Sequence, residues 1–303
     1  MRIASTQFHA TMNTALQSAT ERAENILQKM ASGKRFLLPS ENPVANVRLA
    51  RLEREEATLD QYRDNIATLR NRLAESEAFL TSITADMLSV RDLLTWAANG
   101  SNTSEDVAAM AASMQPIMDS LFYTANSRNA EGRYVFSGTA TDTPAVSYDP
   151  TAPVGARYTF TGNEEAQLVV VSDGVTQAAN VPLPEIAALL NQLDAARESL
   201  SAPGVNVNDP AVRAAVTAAL DGLDAAIASV SARIAGIGGA QNILETLDAN
   251  HANVSLSNRQ AALTIGQLDY ADAAVKLNGY MTAVQATQKA YGAVSRLSLF
   301  EVI

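Results

Sequence analysis

A mainly α-helical protein is expected, built as a long antiparallel coiled-coil or helix bundle from both ends of the chain, with a small β-containing insertion in the middle. Three observations carry this. An apolar heptad runs without Pro or Gly from Leu52 to Leu94. Two further heptad stretches can cover it, one after a short turn near residue 100 and one starting near residue 210. Between them, residues 132–207 hold short β-branched and aromatic runs separated by Asn, Gly, Asp and Pro.

The long helix has the clearest pattern. Leu52, Leu59, Tyr62, Ile66, Leu69, Leu73, Leu80, Ile83, Met87, Val90 and Leu94 fall at steps of three and four, or of seven where Glu55 and Ser76 take the intervening slots. A seam held this long is a coiled-coil signal. Asn42-Pro43 supplies the start, because Asn caps and Pro suits the first helical position. Asn99-Gly100 supplies the stop. A helix from 43 to 98 would be about 80 Å long at 1.5 Å per residue.

Before it, residues 5–32 predict an amphipathic helix with the stripe Met12, Leu16, Ala19, Ala23, Ile26 and Met30, closed by Gly33. Its other face carries no formal charge between Arg2 and Glu21. Residues 33–43 form a connector with Pro39 and Pro43. After the long helix, Thr103 and Asp106 make a capping-box pattern. Val107, Met110, Met114, Ile117 and Leu121 then mark a helix returning antiparallel, with a kink or break at Pro116.

Strands are expected at Arg133–Gly138, Ala156–Thr161 and Gln167–Ser172, and a helix near 185–200. Asp209-Pro210 caps a further long helix carrying Leu220, Leu223, Ile227, Val230, Ile234, Ile237 and Leu244. Gly236, Gly238 and Gly239 predict a local break or a close helix approach, each glycine costing about 1 kcal/mol relative to Ala. A polar segment follows around His251–Asn258. Asp269 and Asp272 open a last helix with the stripe Ala274, Leu277, Met281, Val284, Tyr291 and Val294, and the sequence ends in Leu297, Leu299, Phe300, Val302 and Ile303.

Charge separates the helices by role. The first half of the long helix is dense in Arg, Asp and Glu, as a solvated face is, with those charges expected to pair along the helix. The two terminal helices are nearly uncharged. That suits surfaces where copies of one helix pack together, since like charges there would meet and need desolvation. The expected organisation is therefore terminal helices for assembly at 1–42 and 266–303, a coiled-coil rod at 43–131 and 208–265, and an outer β-rich insertion at 132–207. The assembly surface would comprise Met12, Leu16, Ile26, Met30, Leu277, Met281, Val284, Tyr291, Val294, Leu297, Leu299 and Phe300. The rod core would comprise Leu59, Tyr62, Ile66, Leu69, Leu73, Leu80, Ile83, Met87, Val90, Leu94, Leu223, Ile227, Val230 and Ile234.

Several chemistries find no support. The sequence has no Cys, and its only histidines, His9 and His251, read as polar positions on helix faces. No metal-ligand spacing, nucleophile motif or phosphate loop occurs, and GIGGAQN follows a helix and lacks the P-loop Lys. No catalysis, cofactor or metal is expected. The net charge of −10 argues against nucleic acid or an anionic membrane surface. No run of 18 apolar residues predicts a membrane span, and the N-terminus lacks the apolar run of a cleaved signal.

Specific segments carry a resemblance. The opening MRI, SGKRFLLPSENPVAN, NRL at Asn71–Leu73, NAEGRYVFSGTAT at 129–141, LDYADAAVKLN at 268–278 and LSLFEVI at 297–303 resemble the bacterial flagellin family. GRYVFSG and the SLF ending favour its hook–filament junction members over filament subunits. Where the family usually shows Ser-Asp-Asp-Pro, this protein has Ser40, Glu41, Asn42 and Pro43, so the acid moves and an amide replaces a charge. The resemblance implies a structural role in the extracellular flagellum, after export unfolded through the flagellar type III apparatus. The implied partners are hook-associated protein 1, flagellin, copies of itself in a ring, and a cytosolic export chaperone at the C-terminal region. The terminal helices would line the inner tube. Each is expected to be marginal alone, disordered in the free protein and ordered on assembly. The competing expectations are a filament subunit, or a secreted coiled-coil adhesin or effector acting through the insertion.

Overall fold

A computed structural model describes residues 2–300, with side chains described over 7–293. In sequence order the elements are α1 (Arg2–Ser32), a 3-10 turn at Pro39–Glu41, α2 (Pro43–Ala97), α3 (Ser104–Ala125), β1 (Val146–Tyr148), β2 (Tyr158–Phe160), β3 (Leu168–Ser172), β4 (Val175–Ala178), α4 (Glu185–Leu200), α5 (Pro210–Gly266) and α6 (Tyr270–Phe300). The mainly helical class with a small β-containing insertion is the expected one. The protein divides into two units, Leu59–His251 and Met1–Thr58 with Ala252–Ile303.

Local chemistry sets the helix starts. The Asn42 side-chain oxygen accepts from the Ala45 amide at 3.0 Å, and Pro43 takes the first helical position. At α3 the Thr103 hydroxyl accepts from the Asp106 amide while the Asp106 carboxylate accepts from the Thr103 amide, which closes the capping box. The Thr103 hydroxyl, donating to the Asp106 carboxylate at 2.7 Å, and then the Thr103 amide hold that carboxyl below its usual range. At α5 the Asp209 carboxylate accepts from the Ala211 amide at 2.9 Å.

Within the unit Leu59–His251, α2, α3, α4 and α5 share one core. Ile66, Leu69, Leu73, Leu80, Ile83, Met87, Val90 and Leu94 of α2 are all buried in it. So are Val107, Met114, Met118 and Leu121 of α3, Ile186, Leu190 and Leu193 of α4, and Leu223 and Val230 of α5. Ser76 sits in the same seam and spends its hydroxyl on the Arg72 carbonyl at 2.9 Å. Leu59 is buried, whereas Tyr62, Ile227 and Ile234 are half-buried at the edge. Arg63–Asp248 and Arg91–Asp224, both at 2.8 Å, run α2 antiparallel to α5. The charges of α2 thus reach across to other elements, with Arg72 meeting Glu131 at 3.3 Å, where pairing along the helix was expected.

Four expectations need correcting. First, the break expected at Pro116 is absent: α3 is helical through that residue, which lies on its exposed face. Second, α5 is unbroken across Gly236, Gly238 and Gly239 and through the polar segment 251–258. A side chain built at any of the three glycines would meet nothing, so they mark neither a break nor a close approach. Buried Ile237, Ala240 and Leu244 hold this part of the helix on the core and offset the glycine cost. Third, α5 contains an 18-residue stretch of mean hydropathy 1.3, long and apolar enough to cross a membrane by length and composition alone. Alanine raises that value, and Ala219, Leu223, Ala226 and Val230 are buried in the bundle core.

The fourth correction concerns the insertion. Arg133–Gly138 forms no strand. Its amides turn to local carbonyls, Tyr134 to Thr141 at 2.9 Å and Val135 to Ser127 at 3.0 Å, around one isolated bridge between Arg128 and Tyr134. Phe136 from this segment is fully buried and meets Phe79 of α2 edge-on at 6.2 Å. The strands form two separate antiparallel pairs, β1 with β2 and β3 with β4. β3 carries a bulge between Val170 and Ser172, which turns the Val171 side chain into the core.

Gly138 ends the Arg133–Gly138 segment at φ 73°, and a Cβ there would lie 2.0 Å from the Asn163 carbonyl oxygen. The left-handed backbone and the backbone clash act together. Gly138→Ala is expected to destabilise this unit by about 2–4 kcal/mol, read as a lowered urea midpoint with an unchanged slope.

Candidate assembly surfaces

In the unit formed by the two ends of the protein, α1 and α6 lie antiparallel. His9 meets Tyr291 with ring centroids 5.2 Å apart, and at the other end the Tyr270 hydroxyl donates to the Met30 carbonyl at 3.2 Å. Between them Ala23 and Leu27 share a shallow depression with Met281 and Val284. Each terminal helix therefore finds part of its cover in the other.

Two connectors hold this pairing. Gly33 ends α1 at φ 67°, and its carbonyl accepts from the Leu268 amide at 3.0 Å. The Arg35 amide donates back to the Gly266 carbonyl at 2.7 Å. Lys29 donates to Glu41 at 2.5 Å, tying α1 to the turn before α2. The displaced acid of Ser40-Glu41-Asn42-Pro43 thus makes an ion pair, while the amide beside it takes over capping. The Lys29 hydrogen bond holds the Glu41 carboxyl below its usual range. A depressed folded pKa stabilises above the unfolded value and loses that contribution as pH falls through the folded one. The tie is therefore intact at neutral pH and released below the ordinary carboxylate range. Glu41→Gln is expected to flatten the acid limb of a melting-temperature profile for this unit and to leave its slope above neutral pH unchanged.

The stripe residues divide into two groups. Met12, Leu16, Ile26 and Met30 of α1, and Leu277 and Val284 of α6, are half-buried in the single protein. Met281 is 51% exposed and Tyr291 36% exposed. Val294, Leu297, Leu299 and Phe300 lie outside the residues whose side chains are described. Leu27, at 51%, and Val275, at 73%, are as open as Met281, yet both lie off the stripe. They are legible only as apolar residues outside the heptad. Two paired helices cover one face of each, so Leu27, Val275 and Met281 are apolar surface left uncovered.

Further along this unit, Phe36, Leu37, Leu49, Leu263 and Tyr270 line an open groove of about 840 Å³. Nearby, Ser255 and Arg259 of α5 both donate to one oxygen of Glu56, at 2.5 and 2.6 Å. Glu56, half-buried, faces α5, whereas Glu55, given the slot by the heptad, is exposed.

Among the described residues no group of three or more His, Asp or Glu is placed to hold a metal. His251 is buried in the unit Leu59–His251, with Nε2 2.9 Å from the Val171 carbonyl oxygen and its ring 5.5 Å from Tyr62. Asn65 donates to the neighbouring Val170 carbonyl at 2.9 Å. His251 and Asn65 clip the β3–β4 hairpin onto α5 and α2, so His251 is structural and not a solvated polar position.

Comparison with known proteins follows the same features. A family model described as the bacterial flagellin N-terminal helical region matches residues 3–141. Flagellar hook-associated protein 3 of Escherichia coli (strain K12) is 27% identical over 291 residues, covering 91% of each protein. The protein of the same name from Salmonella typhimurium (strain LT2) is 24% identical over 315 residues, covering 100% of this protein and 99% of that one. The solved structure of a flagellar hook-associated protein from Vibrio parahaemolyticus is 32% identical, with a TM-score of 0.67, over 74% of this protein and 99% of that one. A helical bundle with paired, weakly charged ends and relatives of this kind identify a structural protein of the bacterial flagellum, and it belongs to the flagellin-like hook-associated proteins.

Proposed function

We propose that this protein forms the junction between hook and filament, as a ring of copies between hook-associated protein 1 on one side and the first flagellin subunits on the other. The observation that carries this reading is the α1–α6 pair, with apolar Leu27, Val275 and Met281 left open on two weakly charged helices. Such faces suit burial against like faces of neighbouring copies, where charge would need desolvation. A ring that accepts a different protein on each side needs heterologous contacts, which a helix pair with unlike edges can supply. In this reading residues 1–42 and 266–303 are the assembly part, and 132–207 the outer insertion. Export unfolded through the flagellar type III apparatus, after binding of a cytosolic chaperone to the C-terminal region, completes it.

A clean deletion in the native host tests the role, scored by microscopy and by blotting the medium for flagellin. Filamentless hooks with monomeric flagellin shed into the medium are the expected result. Loss of the major filament band, with no other flagellin exported, would make this protein the filament subunit. Normal filaments and motility would overturn both readings.

A further inference from the structure

The α2–α3 turn holds a dipeptide, Asn99-Gly100, whose chemistry the assembly role does not use. We propose that Asn99 is a site of spontaneous self-modification, in which the Gly100 backbone nitrogen attacks the Asn99 side-chain amide and converts it, through a cyclic imide, to aspartate and β-linked isoaspartate.

Four observations support it. Asn99, Gly100 and Ser101 are all exposed. The Asn99 side-chain oxygen accepts two hydrogen bonds, from the Ser101 amide at 3.2 Å and the Ser101 hydroxyl at 2.9 Å. Two donors on that oxygen draw electron density from Cγ and stand ready for the oxyanion that forms when Cγ is attacked. The nucleophile is free, since the Gly100 N–H has no acceptor among the described residues. Finally, the residue after Asn99 is glycine, which places no side chain over Cγ, and the Asn208 side chain steadies the turn by donating to the Gly100 carbonyl at 3.2 Å.

The step balances without a cofactor. Gly100 N–H loses its proton to a solvent base. The bond from that nitrogen to Cγ of Asn99 forms, Nδ2 takes a proton back from solvent, and the Cγ–Nδ2 bond breaks with release of ammonia. Water then opens the imide at either carbonyl, giving aspartate at position 99 when the side-chain linkage breaks and isoaspartate when the main-chain linkage breaks. The rate rises with pH because the attacking nitrogen must lose its proton. Isoaspartate adds one atom to the backbone in the α2–α3 turn, and either product adds a carboxylate there.

The same molecule holds an internal control. Asn278-Gly279 is the same dipeptide inside α6. There the Gly279 N–H is committed to the helix, so attack requires local opening. The test is incubation of the full-length protein at mildly alkaline pH, with the amide-to-carboxylate conversion localised by peptide fragmentation. Conversion at Asn99 is expected on the order of tenfold or more faster than at Asn278, with the two rates converging in urea. Ser101→Ala is expected to slow conversion at Asn99 by about threefold, the loss of one ordinary hydrogen bond to the developing oxyanion. An unchanged melting temperature for that variant would show that the turn survives. Equal native rates at the two sites, or no effect of Ser101→Ala, would overturn the proposal.

Discussion

Leu69→Asp is expected to unfold the bundle formed by Leu59–His251. Leu69 is buried at 1% exposure in the core shared by α2, α3, α4 and α5. A carboxylate there loses its hydration, while the leucine's own burial is forfeited. A large-to-small change at such a site costs about 2–5 kcal/mol, and an unpaired buried charge adds to that. The sum of about 4 kcal/mol or more is a large fraction of the roughly 5–15 kcal/mol that holds an ordinary domain. The measurement is a urea or thermal melt followed by far-ultraviolet circular dichroism. Thr68→Asp provides the control, because Thr68 is the preceding residue in the same helix and exposed. Its effect should stay within about 0.5 kcal/mol. Equal effects at 68 and 69 would mean that helix propensity, and not the buried seam, dominates this part of α2.

Leu69 also shows what was legible in the sequence and why. The seam of α2 is readable because each step depends only on the neighbouring turn of one helix, and the pattern runs long enough to override single polar slots such as Ser76. The caps at Asn42, Thr103 and Asp209 are readable for the same reason, since their bonds reach two or three residues along the backbone. The insertion is not readable this way. Arg133–Gly138 has strand composition, but its amides find carbonyls in adjoining turns and Phe136 serves as a plug against Phe79. β1 and β4 are three and four residues long, too short to show an alternation. Three glycines in α5 look disruptive when counted locally. They are tolerated because their faces meet nothing and the residues between and after them are buried. His251 looks like a polar surface position until β3 brings the Val171 carbonyl, 80 residues away in sequence, to its ring nitrogen. Glu56 is the same case, since its partners Ser255 and Arg259 lie 199 and 203 residues further on. For His251 and Glu56 the deciding contact is long-range, and no local pattern carries it.

Met281→Asp is expected to have the opposite profile to Leu69→Asp, with little change in the free protein and loss of incorporation into the flagellum. Met281 is half-exposed, on the part of α6 that meets Ala23 and Leu27 of α1. A carboxylate at that position can keep much of its hydration in the single protein, so the cost to its folding should stay below about 1 kcal/mol. In an assembled ring the same position would be covered by a neighbouring copy. The charge would then be desolvated in every subunit at once, and unpaired buried charge costs several kcal/mol per site. Repeated around a closed ring, even about 2 kcal/mol per interface is enough to prevent assembly. The variant should therefore be exported and found in the medium, with hooks bare of filament. Leu27→Asp and Val275→Asp test the same face from residues that lie off the stripe, and should behave alike if the uncovered surface, and not one side group, is what assembles. Normal filaments from all three variants would remove this face from the interface. A melting temperature lowered as far as by Leu69→Asp would place Met281 in the internal core of the paired ends, so that lost folding, and not lost assembly, explains any bare hooks.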